Sequence, residues 1–169
     1  MLTKGNMTLF FSEKDLFSNW FISPFEVKDV RFNCVEQFMM YCKAKLFQDE
    51  VIAQRILAIA HPRDQKALGR QVANYVDSLW CERRAKIVTH GCYAKFSQDV
   101  RLRDALLATA GTVLVEASPY DRIWGVGLGE NDPRVLDPHQ WRGQNLLGIA
   151  LAEVRERLMA ESCSASACE

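Results

Sequence analysis

The sequence predicts an α-rich α+β fold. Three observations carry this. Apolar residues recur at helical spacing in several segments from residue 34 to residue 159. Short β-type runs fill the first thirty-odd residues and return at Thr112-Val113-Leu114-Val115. One long stretch, 118–142, is rich in Pro, Gly, Asp and Asn and follows neither period. The expectation is one domain over residues 1–159, with six or seven helices and a few short strands, followed by a disordered small-residue tail at 160–169. A chain of 169 residues suits one domain and can bury roughly 70% of its unfolded surface without staples.

Taken in order, Met7 to Phe11 reads as a strand. Residues 25–32 alternate around Lys28-Asp29 as a hairpin. Asn33 is placed to cap a helix from Cys34 or Val35 to about Phe47. A second helix covers Asp49 to Ala60, with Val51, Ile52, Ile56, Leu57 and Ala60 on its apolar side, and His61-Pro62 ends it. A third runs from Arg63 to about Tyr75 through Gly69-Arg70. Ser78 caps a long fourth helix, Leu79 to about Phe96, with Gly91 as a candidate interruption. Gln98-Asp99 opens a fifth through Leu107, with Gly111 as its stop signal. A strand follows at 112–118. The last helix spans about Gln144 to Met159, with Leu146, Leu147, Ile149, Ala150, Leu151 and Val154 toward the core.

Composition excludes several classes. Lys plus Arg and Asp plus Glu are 21 each, so this is not a strongly basic coat for nucleic acid. No apolar run reaches the ~20 residues that span a bilayer, and the N-terminus lacks a secretory h-region. The six cysteines form no CxxC pair, and His61, His90 and His139 are scattered. The expectation is a cytoplasmic protein with reduced thiols, no metal, no cofactor and no membrane contact.

Three stretches carry candidate chemistry. In the helix after Asn33, residues seven apart lie within ~20° of one another, so Glu36, Met40, Lys43 and Phe47 form one stripe. Either its charged ends snorkel at the rim of the core, or a carboxylate and an amine share a partly dry pocket. The segment from Glu116 to Gly148 holds Asp121, Trp124 and Trp141 among glycines, and each Trp packs on the core or offers a face to a base or sugar. Gly125-Val126-Gly127 marks backbone freedom and is no phosphate loop. From Arg63 to Arg103 there are nine basic residues against four acidic ones, a local surplus where a phosphate would go, with Arg70 beside Gly69. Ser18-Asn19 sits inside an aromatic bracket, where Asn19 could read a ribose or a base edge.

Together these segments resemble the NADAR superfamily, named for its association with NAD and ADP-ribose. The matching words are SNW at 18–20, VEQFMMYCKAKLF at 35–47, LGR at 68–70, KF at 95–96, LVEASPYDRIWGVGL at 114–128 and WRGQNLLG at 141–148. The resemblance implies an α-rich N-glycoside hydrolase. It puts catalytic roles on Glu36, Lys43 and Asp121, and substrate contacts on Ser18, Asn19, Arg70, Trp124, Gly125, Gly127 and Asn145. One branch of the family hydrolyses ribosylamino-pyrimidine phosphates made early in riboflavin synthesis, and another removes ADP-ribose from guanine bases of nucleic acid. This chain has Gln37 where the first branch usually has His, and a longer link between Leu128 and Trp141. Both features resemble the ADP-ribosyl-guanine branch. The implied partner is a nucleotide or an ADP-ribosylated base as substrate, with no obligate protein partner. A non-catalytic ADP-ribose or NAD reader is the alternative of another class.

Overall fold

The computed structural model describes the backbone of residues 1–166 and the side chains of residues 1–164. In chain order the elements are β1 (Leu2–Lys4), β2 (Met7–Phe10), β3 (Phe25–Val27), β4 (Val30–Phe32), α1 (Val35–Leu46), α2 (Glu50–Ala58), α3 (Pro62–Gly69), α4 (Asp77–Gln98), α5 (Val100–Leu107), β5 (Val113–Glu116) and α6 (Leu146–Ser166). Two 3-10 turns, Pro133–Leu136 and Pro138–Gln140, punctuate the long irregular segment. Among the described residues this is the expected α+β, mostly helical fold, with six α-helices and short strands. The chain divides into two units, one of Asn19–Lys95 and one of Met1–Ser18 with the chain from Phe96 onward.

In the Asn19–Lys95 unit, β3 and β4 pair antiparallel, with Phe25 opposite Phe32 and Val27 opposite Val30. Lys28 and Asp29 both take positive φ, 49° and 63°, as a two-residue turn between twisted strands requires. Phe25, Phe32 and Phe38 form an aromatic cluster, with Phe32 and Phe38 edge-to-face at 5.1 Å. The N-cap of α1 is Cys34 and not Asn33. Asn33 instead donates from its side chain to Ala60 O, and its backbone N–H goes to Gln37 Oε1. Asp49 caps α2 by accepting from Ile52 N. On that helix Ile52, Ala53 and Ile56 are buried, whereas Val51, expected inside, is 71% exposed.

Helix α3 ends at Gly69 and does not reach Tyr75. A Cβ on Gly69 would lie 2.0 Å from Met40 Sδ, so glycine is what lets α3 close on α1. Gly91 does not interrupt α4. It leaves room for the Phe38 ring, whose Cδ1 would lie 2.6 Å from an added Cβ.

The other unit is built on a three-stranded sheet in the order β1-β2-β5, antiparallel between β1 and β2 and parallel between β2 and β5. Met7, Leu9, Val115, Ala117, Val126, Leu128 and Val135 form its core, with Trp141 packed against it. Helix α6 lies on β5, and Gly148 makes this possible, since an added Cβ would sit 2.1 Å from Leu114 O. Arg155, 9% exposed, donates to Thr109 O, Thr109 Oγ1 and Thr112 O. Ile149 faces out at 50%.

The last helix continues to Ser166, past the expected end at Met159. Ala and Glu favour the helix there, and Ser162 and Ser164 donate back to Leu158 O and Ala160 O. Residues 167–169 of the expected tail lie outside the described residues.

Gly148→Ala forces β5 and α6 apart and is expected to lower stability by ~1–3 kcal/mol or more. Gly129→Ala, where an added Cβ meets nothing within 4 Å, serves as the control. Urea denaturation of both variants checks this. Equal midpoints would show that the close approach does not constrain the helix.

Candidate active site

In the Asn19–Lys95 unit the site grows from the first turn of α1. Glu36 is 2% exposed and its side chain lies inside the protein. Its backbone N–H donates to Asn19 O at 2.9 Å, and its Oε2 accepts from Trp20 Nε1 at 3.2 Å. The helix N-terminus adds a favourable partial positive charge of modest strength. Asn19 is 6% exposed, and its Oδ1 is buried with no hydrogen-bond partner. A buried acceptor left in that state costs ~1–3 kcal/mol, which a hydroxyl or N–H of a bound molecule would relieve. Lys66 Nζ lies 5.9 Å from the Trp20 ring.

Gln37 points elsewhere, ~100° around the helix from Glu36. Its Nε2 donates to Ile56 O, Leu57 O and Ile59 O, and its Oε1 accepts from Asn33 N. The amide ties the end of α2 to α1. It borders a cleft of about 310 Å³ lined also by Arg31, Asn33 and Ile59. Those walls hold no acid or nucleophile.

Lys43 lies two turns further along α1, ~10 Å up the axis from Glu36. Its Nζ donates to Gly69 O at 2.7 Å and lies over the Tyr75 ring at 4.3 Å and near that of Trp80 at 5.6 Å. Burial and the neighbouring Arg70 guanidinium push its pKa below the ordinary lysine value, with Asp77 opposing. Arg70 itself is exposed and caps the end of α3. Asn19 and Trp20, which bond Glu36, are not among these partners of Lys43.

In the other unit, Asp121 shapes its own loop. Its Oδ1 accepts from the backbone N–H of Ile123 and of Trp124, both at 2.8 Å, and its own N–H donates to Ser118 Oγ. Trp124 is half-buried. Gly125 packs on Glu116 O, where an added Cβ would come to 2.8 Å, and Gly127 holds a φ of +70°. Asn145 spends its amide on β5, accepting from Glu116 N and donating to Leu114 O. Ser18, 5% exposed, donates its backbone N–H to Asp15 O.

Sequence reasoning singled out Glu36 and Asn19 but gave Lys95, of the matching KF word, no site role, and it is 1% exposed. A signal was available, because Lys95 stands between Ala94 and Phe96, both buried, and three residues after the buried Cys92. No helix of the described residues is long and apolar enough to cross a membrane, and among them no group of three or more His, Cys, Asp or Glu side chains is placed to hold a metal.

A thiol nucleophile is disfavoured by the same burial. Cys34 is pushed up to about 11 and Cys92 to about 12, burial being the main cause for each. Both stay protonated near neutral pH. Native protein treated with iodoacetamide at pH 8 is expected to alkylate at the exposed Cys81 and Cys163 and to leave Cys34 and Cys92 unmodified until urea unfolds it. Peptide mass mapping reads this out, and rapid native labelling of Cys34 or Cys92 would contradict it.

Comparison with known proteins gives a consistent result. The NADAR domain family matches residues 9–159. Protein irg-1 of Caenorhabditis elegans is 40% identical over 166 residues, covering 89% of this chain and 78% of that protein. An N-glycosidase of Acanthamoeba polyphaga mimivirus is 37% identical over 148 residues, covering 83% and 86%. N-glycosidase YbiA of Escherichia coli is 30% identical over 145 residues, covering 86% and 82%. The NMR structure of E. coli YbiA superposes with a TM-score of 0.77 at 28% identity, over 96% of this chain and 90% of that one.

Proposed function

We propose, for a chain that belongs to the NADAR domain family and is an N-glycosidase, that it cleaves the ribose C1–N bond of ADP-ribosylated guanine bases in nucleic acid. The observation that carries the reading is the buried Glu36 carboxylate, held by Trp20 in the first turn of α1. Cleaving this bond develops positive charge at C1, and a fixed, buried carboxylate stabilises it. Glu36 also takes the proton released as the nucleophile bonds to C1 and passes it to the departing nitrogen. The balance is substrate plus water to free ADP-ribose plus nucleic acid with its guanine unmodified.

Gln37 supports the guanine substrate over a ribosylamino-pyrimidine phosphate. It stands where that branch usually has His, and its amide is fully engaged with the end of α2, so it cannot relay a proton. The remaining roles are assigned from the family pattern. Asn19 is a substrate contact in its unit, and Ser18, Trp124, Gly125, Gly127 and Asn145 are substrate contacts in theirs. Arg70 takes a phosphate. Asp121 sets the loop that carries Trp124 and adds negative charge.

Lys43 is the amine of this pattern. As a nucleophile its neutral amine attacks C1 and the C1–N bond breaks, one amine proton going to the departing base nitrogen; the C1–O4′ bond then opens, its oxygen taking the second amine proton, and the resulting imine is hydrolysed by water to ADP-ribose and the free amine. The direction of its pKa, below the ordinary value, favours the neutral amine this step needs. To attack, the nitrogen must leave Gly69 O.

The test incubates the protein with ADP-ribosylated guanosine and, separately, with ribosylamino-uracil phosphate, and follows both by mass spectrometry. Turnover of the first is expected. Turnover of the second alone would move the protein to the riboflavin-intermediate reaction, and binding without turnover of either would make it a reader. Glu36→Gln is expected to lower kcat by about 100-fold or more while keeping the fold, since Gln cannot carry the proton. Trp124→Ala is expected to raise KM. Borohydride added during turnover traps an imine on Lys43, and Lys43→Arg abolishes trapping and turnover together. Normal turnover by Lys43→Arg would instead mean direct attack by water.

A further inference from the structure

Lys95 is a lysine that the reaction above does not use. At 1% exposure, and with Glu36 at 2%, it gives this unit two ionisable side chains of opposite charge that solvent does not reach. Lysine is almost never fully buried unless paired, because desolvating an isolated ammonium is costly. The same short segment touches both. Asn19 O accepts from the backbone N–H of Glu36, the Trp20 indole donates to its carboxylate, and the next residue, Phe21, places its ring centroid 5.3 Å from Lys95 Nζ. Cys34, at the N-cap of α1, feels both charges, Glu36 raising its pKa and Lys95 lowering it. Lys43 is placed differently, on Gly69 O and the Tyr75 ring.

We infer that Lys95 is the buried counter-charge of Glu36 and acts as its positioning residue, keeping the carboxylate ionised and fixed against Trp20. The inference rests on the reading that Glu36 acts in N-glycoside cleavage. The titratable groups tied to the pair are Cys34, the N-cap of α1, which feels both charges, Cys92 on α4, which feels Lys95, and Lys66 on α3 beyond the Trp20 ring. Burial raises both thiols far above neutrality, so they carry no charge at working pH. Lys66 is half-buried and 5.9 Å from the ring, which leaves Lys95 as the charge enclosed with the carboxylate. An ionised Glu36 stabilises positive charge at C1 and accepts a proton from water. A protonated one does neither.

The test has two arms. The first titrates the Glu36 carboxyl carbon by NMR in the wild-type protein, with Glu36→Gln to assign the signal, and needs no substrate. Titration below the ordinary glutamate value of about 4.3 is expected, and titration above it overturns the inference, because burial then outweighs the lysine. The second arm compares Lys95→Met and Lys95→Arg. Lys95→Met is expected to raise the acid limb of kcat/KM by about one pH unit or more and to lower kcat by about 100-fold with KM little changed, while Lys95→Arg restores most of the rate. An acid limb unmoved in Lys95→Met overturns the inference whatever its rate. If Lys95→Met does not fold, the wild-type titration decides alone. Failure of the parent reading looks different, since wild-type protein then hydrolyses no ribosylated base while the titration still judges the pair.

Discussion

Burying a carboxylate in the first turn of a helix that has no polar face there is the constraint on which the site depends. Residues 35–40 of α1 are all buried, six in succession, so the helix enters the interior of its unit from all sides at once. Two of the six are polar, Glu36 and Gln37, and each must be answered. Gln37 is answered completely by three carbonyls at the end of α2 and by the Asn33 N–H, which fixes α2 against α1. Glu36 is harder, because a charge in the interior costs several kcal/mol even after relaxation. A helix N-terminus offers ~0.3–1 kcal/mol and a hydrogen bond to a charged group ~1.5–3. Those two offset part of the cost, and a counter-charge inside the same unit is the natural source of the remainder.

How much of this was legible in the sequence depended on whether the signal was local. Asp49 and Asp99 cap α2 and α5 through their own side chains, and these helix starts could be read from the residues alone. The Lys28-Asp29 turn was equally local. Gly69 and Gly91 were misread, in opposite directions. Gly69 closes α3 and Gly91 does not break α4, and each is explained by a partner on α1, Met40 or Phe38. Nothing near either glycine in sequence announces that partner. Asn33 looked like a cap because caps are commonly Asn, yet its side chain is drawn off by Ala60 O, a long-range contact.

The candidate site divides in the same way. Helical spacing identified the stripe holding Glu36 and Lys43, but spacing gives only the side of the helix and not the reach along it. Two turns separate them, and Gly69 O with the Tyr75 ring lies within Lys43's grasp. Lys95 was invisible to charge counting, which treated it as one more residue of a basic surplus. Its neighbours Ala94 and Phe96 are what mark it as interior.

The irregular segment from Ser118 to Asn145 shows how a loop without regular structure can still present a side chain in one place. Its backbone bonds run both locally and across: Val126 N to Glu116 O, Gly127 N to Asp121 O, Arg142 N to Val126 O, Gln144 N to Arg122 O and Leu147 N to Trp124 O. Asp121 draws the N–H groups of Ile123 and Trp124 onto one oxygen. Gly143 lets these strands of loop touch, since an added Cβ would lie 2.3 Å from Gly125 O. Asn145, at a positive φ of 52°, closes the segment onto β5 through both ends of its amide. Each of these bonds removes freedom before any ligand arrives. The ordering entropy of the Trp124 loop is therefore met on folding, and a substrate that binds there does not have to supply it.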